Sequence, residues 1–243
     1  MAGILSAGAR SRAVQAGEGW HHAPAADRTD DATTVLTEGV RQVNRTEPPA
    51  AGARKRELRR ELLARRAGMP REAVAAAARA LAAQAVRLPE LADAGTVAAY
   101  VSVGAEPGTR ELLDTLRTRG VRVLLPVLQA DHDLDWAAYA GLGALVPATR
   151  GLWEPGGPRL GPDAVLAADT VLLPGLAVDA SGLRLGRGGG SYDRVLERLA
   201  SAGAAPALVV VLYAHEVLAS VPAEPHDRPV TAAVTPAGVH RFG

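Results

Sequence analysis

A single-domain, three-layer α/β/α fold around a mostly parallel sheet is predicted by three observations. Short, continuously apolar runs such as "TVAAYVSV" (96–103) and "VRVLLPVL" (121–128) have the composition of strands buried on both faces. Between them lies a helical stretch, "TRELLDTLRTRG", and the order strand, helix, strand calls for a right-handed crossover and parallel pairing. A glycine-rich turn, "RLGRGGGSYDR" (184–194), follows a further apolar run and opens directly into a helix, as turns at the ligand edge of such sheets do.

From the amino terminus, residues 1–52 show neither helical nor strand periodicity and mix "HHAPAADRTDDATT" with "TEPPAAGA". Too little apolar surface is available there to offset chain entropy, so a disordered extension is expected, with the α/β domain spanning 53–243. "RKRELRRELLARRAGM" then places Leu58, Leu62 and Leu63 on one stripe of a helix that Gly68 and Pro70 end. "REAVAAAARALAAQAVRLPEL" is a second helix, rich in alanine and stopped near Pro89. After the strand, helix and strand of 96–128, "LDWAAYA" reads as an edge strand and "GLWEPGGPRLGP" as a loop. "TVLLPGLAV" is another strand, "SYDRVLERLASAG" the helix after the glycine turn, and "PALVVVLY", the most apolar run, a central strand. "AHEVLASVP" reads as a short helix and "HDRPVTAAVTP" as carrying the last strand, with His226 a structural residue of a proline-flanked turn.

Bulk composition bounds the function. An apolar share of 48% in 243 residues supports a substantial core, and a net charge of +1 offers no concentrated basic surface for nucleic acid or membrane. No run of about 18 apolar residues is present to span a bilayer. The absence of cysteine excludes disulfides, thiolate metal sites and a cysteine nucleophile, and fits a cytoplasmic location. A monomer is expected.

The glycine turn is the strongest chemical signal. Backbone N–H groups without neighbouring β-carbons can approach an anion closely, the next helix adds its positive end, and Arg184 and Arg187 add charge. A flexible surface loop is the plainer alternative, but it does not call for two arginines before the helix and Tyr192-Asp193 within it. The spacing of Gly186, Gly188 and Gly190 departs from both the P-loop and the dinucleotide fingerprint. Lys55 is the single lysine beside 26 arginines, and with Arg59 four positions on it shares one helical face. A site that wants a compact ammonium would explain its retention. Arg56, Arg60 and Arg65 read as a solvated face.

"LLPGLAVDASGLRLGRGGGSYDR" resembles the signature of the 5-formyltetrahydrofolate cyclo-ligases. The likeness runs from about Arg54 to Pro236 and takes in "KRELR", "AAYVSVGAE", "GLWEP" and "PAEPHDRPV". It implies ATP-dependent closure of 5-formyltetrahydrofolate to 5,10-methenyltetrahydrofolate, through phosphorylation of the formyl oxygen and attack by the neighbouring N10. By the same likeness, Lys55, Arg59, Arg184, Leu185, Gly186, Arg187, Gly188, Gly189, Gly190, Ser191 and Tyr192 contact ATP, with Lys55 and Arg187 catalytic. The folate is assigned to Val101, Glu106, Trp153 and residues 187–191, and Mg2+ to Asp193 and Asp227. Trp136, Tyr139 and Tyr213 read as packing. Three positions depart from the family pattern: Ser191 replaces a tyrosine, Val178 a phenylalanine, and Thr231 stands where an acid is frequent, leaving Asp227 without a carboxylate neighbour on its segment. Two other readings compete: a sugar-phosphate isomerase using Glu106 as base, and a nucleotide or folate binder without turnover.

Overall fold

The computed structural model describes residues 51–224 and 227–243; the expected disorder of residues 1–50 and the turn role of His226 lie outside them. In chain order the helices are α1 (Ala51–Ala67), α2 (Arg71–Ala85), α3 (Pro89–Ala92), α4 (Arg110–Thr118) and α5 (Ser191–Ser201). The strands are β1 (Thr96–Ala98), β2 (Arg122–Leu128), β3 (Leu134–Ala138), β4 (Leu145–Pro147), β5 (Trp153–Pro155), β6 (Thr170–Pro174), β7 (Ala177–Val178), β8 (Arg184–Leu185), β9 (Ala207–Val211), β10 (Ala232–Thr235) and β11 (Gly238–Arg241). Seven strands form the main sheet in the order β11-β10-β9-β6-β1-β2-β3. The five inner strands run parallel, and β3 and β11 close the two edges antiparallel.

The strand period of two sorts these side chains between two helical layers. Val97, Leu172, Val209, Val211 and Val234 pack with Leu81, Leu112 and Leu116 of α2 and α4. Their neighbours Ala98, Val171, Leu173, Val210 and Ala233 point the other way, onto Val195, Leu196 and Leu199 of α5. This is the predicted three-layer architecture. Strands buried on both faces have no room for the polar alternation of a solvated sheet.

Several elements differ from the sequence expectation. Residues 51 and 52, expected in the extension, already belong to α1. "TVLLPGLAV" is two strands broken at Gly175, and "PALVVVLY" supplies β9, third in the order, while β6 is the middle strand. Within "GLWEP", Trp153–Pro155 forms the strand β5, paired antiparallel with β4; runs of three residues are too short for a period to register. "AHEVLASVP" gives only a single 3-10 turn, Ala214–Glu216.

Gly182 is fixed by a close approach. Its φ is +80°, and an added Cβ would sit 2.8 Å from the Val230 carbonyl oxygen and 3.1 Å from Phe242 Cβ. Gly182→Ala is therefore expected to cost about 3 kcal/mol, lowering Tm by roughly 10 °C in a thermal melt. A variant melting with the wild type would show that the 179–183 turn relaxes freely.

Candidate active site

Strand order reverses beside β1: β2 lies on one side, and β6, β9 and β10 on the other. The crevice past the carboxyl ends at such a switch point is where open α/β sheets take ligands. A cavity of about 420 Å³ lies there. One wall comes from the residues after β1, namely Tyr100, Val101 and Glu106; another from Trp153 and Arg150; and a third from Gly186 through Asp193.

The glycine turn owes its shape to backbone conformation. Gly188 has φ +89°, a region closed to most side chains, and Gly190, also left-handed, is the N-cap of α5. An added Cβ on Gly188 would lie 3.5 Å from the Arg59 guanidinium carbon, and Arg59 Nε donates to the Gly186 carbonyl at 2.9 Å. The positive end of α5 and the Arg59 guanidinium of α1 thus meet on one loop. Leu185, assigned to nucleotide by resemblance, instead turns its side chain into a small core with Leu62, Leu176 and Val221.

Lys55 is 4% exposed, and its Nζ donates at 2.6 Å to Glu224 Oε2 and at 2.6 Å to Asp227 Oδ2. Burial works against its charge, but the hydrogen bonds and charges of Asp227 and Glu224 outweigh it and hold the ammonium above its ordinary range. Glu224 corrects the expectation that Asp227 has no carboxylate neighbour: its own N–H donates to Asp227 Oδ2 at 2.7 Å. Thr231, where an acid was looked for, exchanges hydrogen bonds with the Leu208 backbone instead.

Arg184 is nearly buried. Its Nη1 donates to the Pro174 carbonyl at 3.0 Å and its Nη2 to Asp193 Oδ1 at 3.0 Å. Burial depresses its proton affinity, with Asp193 opposing, yet a guanidinium stays charged at neutral pH. Arg184, Asp193 and Asp227 also border a second, smaller cleft of about 90 Å³.

Arg187 is half exposed and bridges loop and wall, Nη1 donating to Glu106 Oε1 at 2.8 Å. Glu106 is held from its own side by the Val103 N–H at 3.0 Å. Tyr192 lines the cavity, and its hydroxyl is buried and without a hydrogen-bond partner among the described residues. Burial first, and the Glu106 charge second, push that phenol far up, so it stays a donor. Ser191 lies at the same rim, and Trp153 is 39% exposed with the Arg110 guanidinium 5.4 Å above its ring. Trp136 and Tyr139 are packing residues as expected, Trp136 fully buried and Tyr139 bonded to Asp114.

The sequence reading missed three groups here. Tyr100 and Arg150 line the cavity, and Arg66, which carried no assignment, is 3% exposed and paired with the fully buried Glu216. Leu63, placed on the buried stripe, is exposed. The face α1 turns inward is Lys55, Arg59, Leu62 and Arg66, spaced 4, 3 and 4. That regular interval was the signal, hidden because three of its four members are basic.

Three arginines, Arg150, Arg184 and Arg187, and a bare-backbone turn line this concave pocket at the switch point of an α/β sheet, the usual place for a ligand or active site, while Lys55 and Arg59 stand outside its lining. The comparisons place it further. Residues 51–236 match the model of the 5-formyltetrahydrofolate cyclo-ligase family, and the chain belongs to that family. As such it is a ligase. It is 46% identical over 190 residues, 75% of this chain and 93% of the relative, to a 5-formyltetrahydrofolate cyclo-ligase of Mycolicibacterium smegmatis. To that of Escherichia coli it is 35% identical over 158 residues, covering 62% and 83%. Among solved structures, an Aquifex aeolicus 5,10-methenyltetrahydrofolate synthetase matches with a TM-score of 0.66 at 28% identity, covering 77% of this chain and 92% of that one.

Proposed function

We propose that residues 53–243 catalyse the ATP-dependent closure of 5-formyltetrahydrofolate to 5,10-methenyltetrahydrofolate, releasing ADP and phosphate. The observation that carries this reading is the shared cavity: a backbone cradle with Arg184 and Arg187 forms one wall, and the segments carrying Glu106 and Trp153 form the other two. A triphosphate and a pteridine can meet there. The formyl oxygen is a poor leaving group; taking the terminal phosphoryl group makes its expulsion as phosphate feasible once N10 has attacked the formyl carbon.

Such transfer asks for positioning and charge neutralisation more than for covalent chemistry. The N–H groups of Gly186 through Ser191, with Lys55, Arg59, Arg184 and Arg187, would hold the phosphates, and Val101, Glu106 and Trp153 the folate. The attacking nitrogen belongs to the substrate, which agrees with a site lacking an activated serine or cysteine nucleophile.

The carboxylates of Asp193 and Asp227 border the small cleft together, and a pair of carboxylates with phosphate oxygens and water is a donor set that suits Mg2+. When bound, that ion would neutralise charge on the phosphates. The assay mixes the protein with 5-formyltetrahydrofolate, ATP and magnesium and follows the near-ultraviolet band of the methenyl product. Product without ATP would sink the ATP-dependent reading, no product and no ATP binding would leave the isomerase reading, and binding of both ligands without product would favour a passive binder. Asp193→Ala is expected to raise the magnesium needed for half-maximal turnover about tenfold or more; an unchanged magnesium titration would remove Asp193 from the ion.

A further inference from the structure

We propose that Arg66 and Glu216 are positioning residues, a buried clasp that sets the register of α1 so that Lys55 and Arg59 meet the nucleotide; this rests on the ATP reading above. The four inward residues of α1 form one stripe with a different anchor at each step. Lys55 meets Glu224 and Asp227, Arg59 meets the Gly186 carbonyl, Leu62 enters the small core, and Arg66 ends the row.

Arg66 is the most tightly bound of them. Its Nε donates to Glu216 Oε1 at 2.7 Å, and its Nη2 to Glu216 Oε2 at 2.8 Å and to the Gly175 carbonyl at 2.6 Å. Glu216 Oε2 also accepts from the Tyr213 N–H at 2.9 Å. Arg66 and Glu216 are 3% and 0% exposed, and neither lines the cavity.

The location of the clasp gives it its role. Pro174 and Gly175 are consecutive at the end of β6, and their carbonyls receive Arg184 and Arg66 respectively. One backbone corner thus locates both the cation bound to Asp193 and the helix carrying Lys55 and Arg59. A bidentate guanidinium allows less sliding than an apolar contact, because its two bonds fix an orientation as well as a distance. An ion pair this deep adds little net stability over an apolar replacement, which leaves geometry as what it contributes.

The test compares R66M/E216Q with R66K and the wild type. R66M/E216Q removes both charges together, leaves no lone ion inside, and keeps a carbonyl oxygen for the Tyr213 N–H. Calorimetric titration with ATP and magnesium is expected to show affinity about tenfold weaker, while 5-formyltetrahydrofolate affinity changes less than about threefold. R66K, which keeps charge but cannot serve Glu216 twice and Gly175 at once, is expected to fall between. A folded variant with wild-type ATP affinity, or equal weakening of both ligands, overturns the proposal. So does failure of both variants to fold, which would make the pair purely structural. A wild type that binds no ATP sinks the nucleotide reading and the clasp with it, whereas normal wild-type binding beside an unaffected folded variant sinks the clasp alone.

Discussion

Lys55→Ala is expected to lower kcat/KM for ATP by about 100-fold to 1,000-fold, the scale on which removing one preorganised charge from a phosphoryl-transfer site acts. Its ammonium is buried, is held charged across the neutral range by Glu224 and Asp227, and extends from the same helical face as Arg59. Part of the loss falls on stability. Without the cation, Glu224 and Asp227 face each other, but both carboxylates are partly solvated, so the cost is about 1–2 kcal/mol. Steady-state kinetics over an ATP series, with a thermal melt alongside, separates the two effects. Lys55→Arg restores the charge with a flat, longer group and is expected to recover stability ahead of rate. Wild-type kinetics in Lys55→Ala would strip the residue of its role.

Arg187→Ala has the opposite profile. Its guanidinium is half exposed and pairs with Glu106 across the cavity mouth, and such an exposed pair contributes about 0–1 kcal/mol to folding. Melting should therefore move by no more than a few degrees, while kcat at saturating ATP and folate falls about 100-fold, because in the proposed reaction the group would neutralise charge that develops in the transition state. A large drop in Tm with little change in kcat would reverse the assignment and make Arg187 a brace for the loop.

What could be read from the sequence follows the strength of each local signal. The parallel sheet was visible because Val97 to Ala98, Val171 to Leu173 and Val209 to Val211 are apolar at consecutive positions, which only doubly covered strands require. The glycine turn was visible because nothing else concentrates bare backbone between a strand and a helix. By contrast, β4, β5 and β11 are runs of three or four residues whose pairing is settled by tertiary contacts. Arg66 and Glu216 were hidden for a different reason: buried charges are decipherable only as a pair, and these lie 150 positions apart. Glu224 escaped notice in the same way, since a glutamate among prolines looks solvated until Lys55 is set against it.

Gly175 carries a consequence for how the enzyme can vary. A methyl group at that position would come within 2.6 Å of Val210 Cγ2, so main chain is pressed directly against an adjoining strand. The two guanidinium groups hung on this bend therefore inherit the stiffness of the interior, and breathing motions of surface segments reach them only weakly. Substitutions around the outer rim can retune which guest is welcomed, whereas one added carbon at the hinge of the floor would disturb the whole constellation at once.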